Sequence, residues 1–254
     1  MTLLAVDVRN SLTTLGVFKG DDLIAHWRVS STDGRTADEW QVVIGGLIGA
    51  SQLLELDGIS ISCTVPSILA EMRELIGRYY ADVAVSIVEP GTKTGVPIMT
   101  DNPREVGADR IVNSLAAATL YGGPAIVVDF GTATTFDVVD PAGRYLGGAI
   151  SPGIEISLEA LARRGAQLRA VELVPPRSVI AKNTVEAMQS GIIYGFAGQV
   201  DGIVGRMMDE LGGDPRVIAT GNLAPIVIDE CSTITDHEPW LTLIGLRLVH
   251  ERNH

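Results

Sequence analysis

The sequence predicts an α/β fold built from two related halves, and three observations predict it. An apolar run ending in aspartate, then a hydroxyl-rich turn and two more strand-like runs, opens the chain and recurs near its middle. Strand-like and helix-like segments alternate around both copies, as expected for layered sheet and helix. Hydrophobic residues make up 46% and charged residues 20%, a globular composition that can bury a substantial core.

Leu3 to Val8 is a nearly continuous apolar run, the pattern of a strand buried on both faces. Val17-Phe18-Lys19-Gly20-Asp21-Asp22-Leu23-Ile24 reads as a hairpin, with Gly and Asp supplying the turn. Thr36-Ala37-Asp38-Glu39 is a capping box, opening a helix to about Gln52. Ile59 to Thr64 is a strand, Pro66-Ser67 opens a helix to about Tyr80, and Val83 to Val88 is a further strand. After a Gly-, Pro- and Thr-rich loop, a helix from about Asp109 to Tyr121 stops at Gly122-Gly123-Pro124. Ala125 to Val128 starts the strands again, which divides the chain into 1–122 and 123–254. A strand at Val217 to Ala219 ends in Thr220-Gly221-Asn222, before a short helix beginning near Leu223. Trp240 to Val249 is a last helix, its apolar residues suited to core or to a dimer interface.

Aligning Asp7 with Asp129 gives one offset of 122 that runs without a gap through both hairpins. Under it Thr13 meets Thr135, Val17 meets Val139, and Leu23-Ile24 meets Tyr145-Leu146. A duplicated α/β chain of this kind predicts a cleft between its halves, where ligands preferentially bind.

The chemistry of the repeated turn suits phosphate. A strand–turn–strand rich in Gly, Ser and Thr offers backbone N–H groups and hydroxyls to phosphate oxygens. The leading aspartate, repelled by phosphate, makes sense as a ligand for a cation, or for cation-bound water, that bridges to it. The Thr220-Gly221-Asn222 turn lets backbone approach a ligand closely, or is an ordinary strand–helix connection. Gly107-Ala108-Asp109-Arg110 is a helix start with Asp109 favourable at the N-terminal dipole. The same Asp109 suits a general base for a hydroxyl, and Arg110 a forked donor to an anion.

Other classes are disfavoured. A net charge of −12 argues against nucleic acid as the main partner. Cys63 and Cys231 have no metal-ligand spacing and read as buried, reduced thiols. His26, His237, His250 and His254 keep no metal-site company. The first residues lack the basic start of a signal peptide, and no apolar stretch approaches the ~20 residues of a membrane span, so a cytoplasmic protein is expected.

The two Asp-led hairpins and the Ala219-Thr220-Gly221-Asn222 turn resemble the superfamily of sugar kinases, heat-shock chaperone ATPases and actin. Within it, the chain resembles the type III pantothenate kinase family over essentially its whole length. The most specific stretches are Asp101 to Arg110, Asp129 to Asp137, Gly147 to Gly153 and Lys182-Asn183-Thr184. The resemblance implies duplicated ribonuclease H-like (actin-like ATPase) domains, mixed sheets flanked by helices, with the active site in the cleft. It implies ATP-dependent phosphorylation of pantothenate, the first step of coenzyme A synthesis, in a homodimer requiring Mg²⁺. It implies that Asp7, Val8, Arg9, Asn10, Ser11, Leu12, Thr13 and Thr14 form the first ATP phosphate hairpin, and that Thr132 contacts ATP. Gly107, Ala108, Asp109 and Arg110 would bind pantothenate with Asp109 as base, Thr184 would contact pantothenate, and Asp129 would hold potassium or ammonium.

The first hairpin departs from the family's usual Asp-x-Gly-Asn-Thr-Asn-Thr, reading Asp7-Val8-Arg9-Asn10-Ser11-Leu12-Thr13. Arg9 replaces a glycine that allows close backbone approach, and either reaches phosphate or fills part of the nucleotide site. Leu12 removes an amide. The loop Gly95 to Thr100 lacks a Tyr that many relatives carry before the Asp-Asn-Pro segment. Two alternatives therefore stand beside the kinase: a catalytically silent nucleotide-binding relative, and a kinase for another small hydroxylated acid or sugar.

Overall fold

A computed structural model describes residues 1–51, 55–164 and 171–254; Gln52, the expected end of the first helix, lies outside them. The chain forms two compact units. One comprises 1–96, 102–116 and 242–254, and the other 97–101 and 117–241. The contiguous division at 122/123 thus differs from the observed units, which exchange a loop and take the last helix into the first.

In the first unit, β1 (Thr2–Val8) pairs antiparallel with β2 (Leu12–Lys19), which pairs antiparallel with β3 (Asp22–Ser30). On its other side β1 runs parallel to β4 (Gly58–Cys63), and β4 to β5 (Ala84–Ile87). The sheet order is β3-β2-β1-β4-β5. The central position of β1 accounts for its unbroken apolar run. Thr36 closes the expected capping box with Glu39 and opens α1 (Ala37–Ala50), whose Ala37, Trp40, Ile44 and Ile48 form one buried stripe. Pro66 opens α2 (Pro66–Tyr79), which buries Ile68, Met72 and Leu75 in the same core.

The second unit repeats this topology. Its strands are β6 (Ala125–Phe130), β7 (Ala133–Val139), β8 (Tyr145–Pro152), β9 (Arg216–Thr220) and β10 (Asp236–His237), in the order β10-β9-β6-β7-β8. Two helices, α4 (Ile154–Arg164) and the 28-residue α5 (Thr184–Leu211), accompany it. Met188, Ile192, Phe196, Val200 and Val204 recur every four residues along α5 and enter the core with Val128, Phe130 and Phe136. Each such buried side chain contributes roughly 1.5–3 kcal/mol.

The internal repeat is real in topology but not gapless. Val8 pairs with Thr13 across the first turn, whereas Phe130 pairs with Thr134 across the second. The first turn is therefore one residue longer, and along β2 and β7 the equivalence is 121. Both strands carry a register shift at the matching place, between Val17 and Phe18 and between Val138 and Val139. The next turn is one residue shorter in the first unit, which restores 122 and pairs the two bulged, exposed residues Ile24 and Leu146. Two compensating length changes gave the sequence its single offset.

Two helices complete the frame. α3 (Ala108–Tyr121) starts in the first unit, and α6 (Leu241–Asn253) packs there almost entirely. Backbone contact explains α6: a Cβ on Gly245 would stand 2.1 Å from the Val112 carbonyl oxygen, so only glycine lets α6 reach α3. Ser60 Oγ also donates to Leu246 O at 2.8 Å. Leu241, Leu243, Leu246 and Val249 are buried, so the apolar face of α6 is core.

Candidate active site

In the first unit, Asp7 is the second-last residue of β1 and only 3% of its surface is exposed. Its Oδ2 accepts from Arg9 Nε at 2.6 Å. Arg9 Nη2 donates to Thr242 Oγ1 at 3.0 Å, and Thr242 Oγ1 donates to Asn113 Oδ1 at 2.8 Å. Arg9 thus turns inward onto its own hairpin. Its backbone N–H closes the turn onto Leu12 O at 3.1 Å, leaving Asn10 and Ser11 exposed at the tip. Thr13 is buried with its hydroxyl 2.8 Å from Ser31 Oγ, so it fastens β2 to β3. Thr14, in register with Asp7, is half-buried.

Asn113 stands one helical turn after Asp109 on α3, so this chain of hydrogen bonds links the hairpin to the helix carrying Asp109. Ile111 N donates to Gly107 O at 3.2 Å, which makes Gly107-Ala108-Asp109-Arg110 the helix opening, as the sequence predicts. A Cβ on Gly107 would lie 2.5 Å from Asp109 Oδ1. The Asp109 carboxylate therefore folds back against the Gly107 backbone at the positive end of the helix dipole, and it remains partly accessible.

In the second unit, Asp129 occupies the place of Asp7 and is 2% exposed. Gly131, in the place of Arg9, closes its turn onto Ala133 O at 3.0 Å. Two glycines press on this turn. Gly153 N donates to Thr132 O at 3.1 Å, and a Cβ there would lie 2.3 Å from that oxygen. Gly221, at φ +93, would place a Cβ 2.6 Å from Asp129 Oδ1 and 2.5 Å from Phe130 O. Asp129, Thr132, Gly153 and Thr220-Gly221 therefore meet at one end of the sheet, with the N-terminus of α4 opening from Gly153. Thr184 is exposed as the first residue of α5, after an Asn183 cap that accepts from Glu186 N at 3.0 Å.

Sequence reasoning singled out Thr220 in its turn but set neither it nor Ser62 beside an aspartate. Ser62 is in register with Asp7 on β4, and Thr220 with Asp129 on β9. Thr64 also donates its hydroxyl to Val8 O at 3.2 Å. Following the repeat into the fourth strand of each half would have found both. Asn113 and Thr242 left no signal, because they meet only through packing of α6 on α3.

The thiols stand apart from this chemistry. Burial pushes the Cys63 thiol up, and burial with the nearby carboxylates of Asp201 and Glu230 pushes Cys231 up to about 12. Both are free and half-buried, and the raised values favour the less nucleophilic thiol over the thiolate.

A sequence profile describing type III pantothenate kinase matches residues 3–206. The chain belongs to the type III pantothenate kinase family. It is 64% identical to a type III pantothenate kinase of Thermobifida fusca (strain YX), covering 99% of both chains. It is 61% identical to one of Nocardioides sp. (strain ATCC BAA-499 / JS614), covering 100% of both. In three dimensions it is similar to a ROK hexokinase from Thermus thermophilus, with TM-score 0.55 at 14% identity over 98% of each chain. That likeness concerns the duplicated α/β fold alone.

Kinases of this family use ATP with Mg²⁺. Among the described residues no cluster of three or more His, Cys, Asp or Glu could hold a metal. The oxygens of Asp129 and Phe130 around the Gly221 backbone form a cradle that a Cβ would fill, and an all-oxygen set suits a hard cation. No helix among the described residues is long and apolar enough to cross a membrane.

Proposed function

We propose that the chain transfers the γ-phosphoryl group of ATP to the primary hydroxyl of pantothenate, giving 4′-phosphopantothenate and ADP at the first step of coenzyme A synthesis. The observation that carries this reading is the family match over residues 3–206, joined to two Asp-led hairpins of one topology. The hydroxyl oxygen bonds to the γ-phosphorus, the bond from that phosphorus to the β–γ bridging oxygen breaks, and ADP leaves with the electron pair. Asp109 takes the hydroxyl proton and releases it to solvent. Its accessibility and its place on a rigid helix start support that role. Mg²⁺ bound with the nucleotide neutralises developing phosphate charge.

Residues 7–14 form the first phosphate hairpin, and Thr132 contacts ATP in the second. Gly107, Ala108 and Arg110 bind pantothenate, Arg110 facing its carboxylate, and Thr184 adds a hydroxyl. Asp129 holds potassium or ammonium in the Gly221 cradle. The protein works as a homodimer in the cytoplasm.

The test is direct. Purified protein incubated with pantothenate, ATP, Mg²⁺ and potassium gives a product heavier by one phosphoryl group on mass analysis. Absence of that product across a panel of nucleoside triphosphates overturns the reading.

A further inference from the structure

The two halves treat the same buried carboxylate differently. In the second hairpin the residue two after the aspartate is Gly131, while in the first it is Arg9, whose guanidinium lies 2.6 Å from Asp7 Oδ2. Asp7 and Arg9 are the only charged residues from 7 to 14, so the turn is neutral with Arg9 and anionic without it. The guanidinium is also fixed from behind: its second nitrogen donates to Thr242, whose hydroxyl passes a hydrogen bond to Asn113. A metal ion binding Asp7 through Oδ2 would have to displace a charge-assisted bond that three residues hold in place. The site at Asp7 therefore does not fit a bound cation in addition to Arg9.

From this geometry we infer that Arg9 is a tethered counter-cation: it fills the place a metal ion would take at the first aspartate and lets the triphosphate approach the first hairpin without one. This makes Arg9 a positioning residue for nucleotide, a role that rests on the kinase reading. Anion docking beside an uncompensated buried carboxylate is opposed by repulsion in a low-dielectric site. A guanidinium removes that repulsion at every working pH, and it neither dissociates nor competes for solvent ions. The side chain turns back onto Asp7 and across to Thr242.

Calorimetric titration of ATP in EDTA and in Mg²⁺ tests the inference on the whole protein. The parent retains measurable metal-free binding. Arg9→Gly weakens metal-free binding about ten- to a hundredfold, the worth of a charge-assisted contact. Mg²⁺ then recovers more in the variant than in the parent. Asp7→Asn combined with Arg9→Gly removes both charges and restores metal-free binding toward the parent. Arg9→Lys, which keeps the charge, holds the parent's ratio of Mg²⁺ to EDTA affinities even if Arg9→Gly fails to fold. Equal ratios in parent and Arg9→Gly, tighter metal-free binding in Arg9→Gly, or a raised ratio in Arg9→Lys each overturn the inference while leaving the kinase standing. A parent that binds no ATP even with Mg²⁺ overturns the kinase reading, and this inference with it.

Discussion

Gly107 stands so close to Asp109 that a Cβ on the glycine would lie 2.5 Å from the carboxylate oxygen Oδ1. Gly107 thus has a physical reason to be glycine: it leaves room for the Asp109 carboxylate to turn back over the helix opening.

Replacing Asp109 by Asn keeps the size and removes the basic oxygen. Turnover falls by ~10²–10⁴, the usual share of a general base, while the melting temperature stays near that of the parent. Parent-like turnover in Asp109→Asn would move the base elsewhere.

Gly153 carries a prediction about the second hairpin. A Cβ at 2.3 Å from Thr132 O and 2.4 Å from Gly131 O meets backbone, which cannot swing aside. Gly153→Ala pushes the turn out of place, with a stability loss of about 1–3 kcal/mol and a raised KM for ATP. Gly198→Ala on α5, where nothing lies within 4 Å, is the control and leaves both unchanged or slightly improved. Equal behaviour of the two variants in urea melts and ATP titrations would remove the close-approach argument.

The sequence shows the elements better than it shows how they meet. Apolar runs and caps placed β1, α1, α2 and β6 to within a residue or two, because local patterning and capping chemistry decide them. The duplication was legible through Asp7 and Asp129. Its gapless form was not, since opposite length changes at successive turns cancel in any one-dimensional alignment. Arg9 was legible as a departure, yet its direction depends on Thr242, 233 residues away, reaching it from α6. Nothing in a linear pattern reports that contact.

Asp129 predicts a cation response. Activity rises with potassium or ammonium over sodium alone, and Asp129→Ala abolishes the difference. Steady-state rates in sodium-only buffer that match those in potassium would take the monovalent cation away from the Gly221 cradle.

The last prediction concerns acid stability and is independent of catalysis. His250 on α6 is 1% exposed, with Nδ1 3.2 Å from Ser86 Oγ on β5 and Nε2 without a hydrogen-bond partner. The Gly58 backbone of β4 presses on that ring, and the ring of His254 lies 4.6 Å away. Burial first, and the charge of His254 second, hold the imidazole below its ordinary value of 6.5, with Glu251 opposing weakly. The folded state therefore prefers neutral His250, and the unfolded chain takes up the proton at higher pH. Stability from this residue is complete above about pH 6.5 and declines as pH falls toward the depressed folded value, by at most about 1.4 kcal/mol per pH unit for one proton. His250→Gln removes that titration. Urea melts from pH 8 to pH 5 should show the parent losing stability faster than the variant below pH 6.5. Parallel curves would mean that α6 admits water to His250 and that its burial carries no pH dependence.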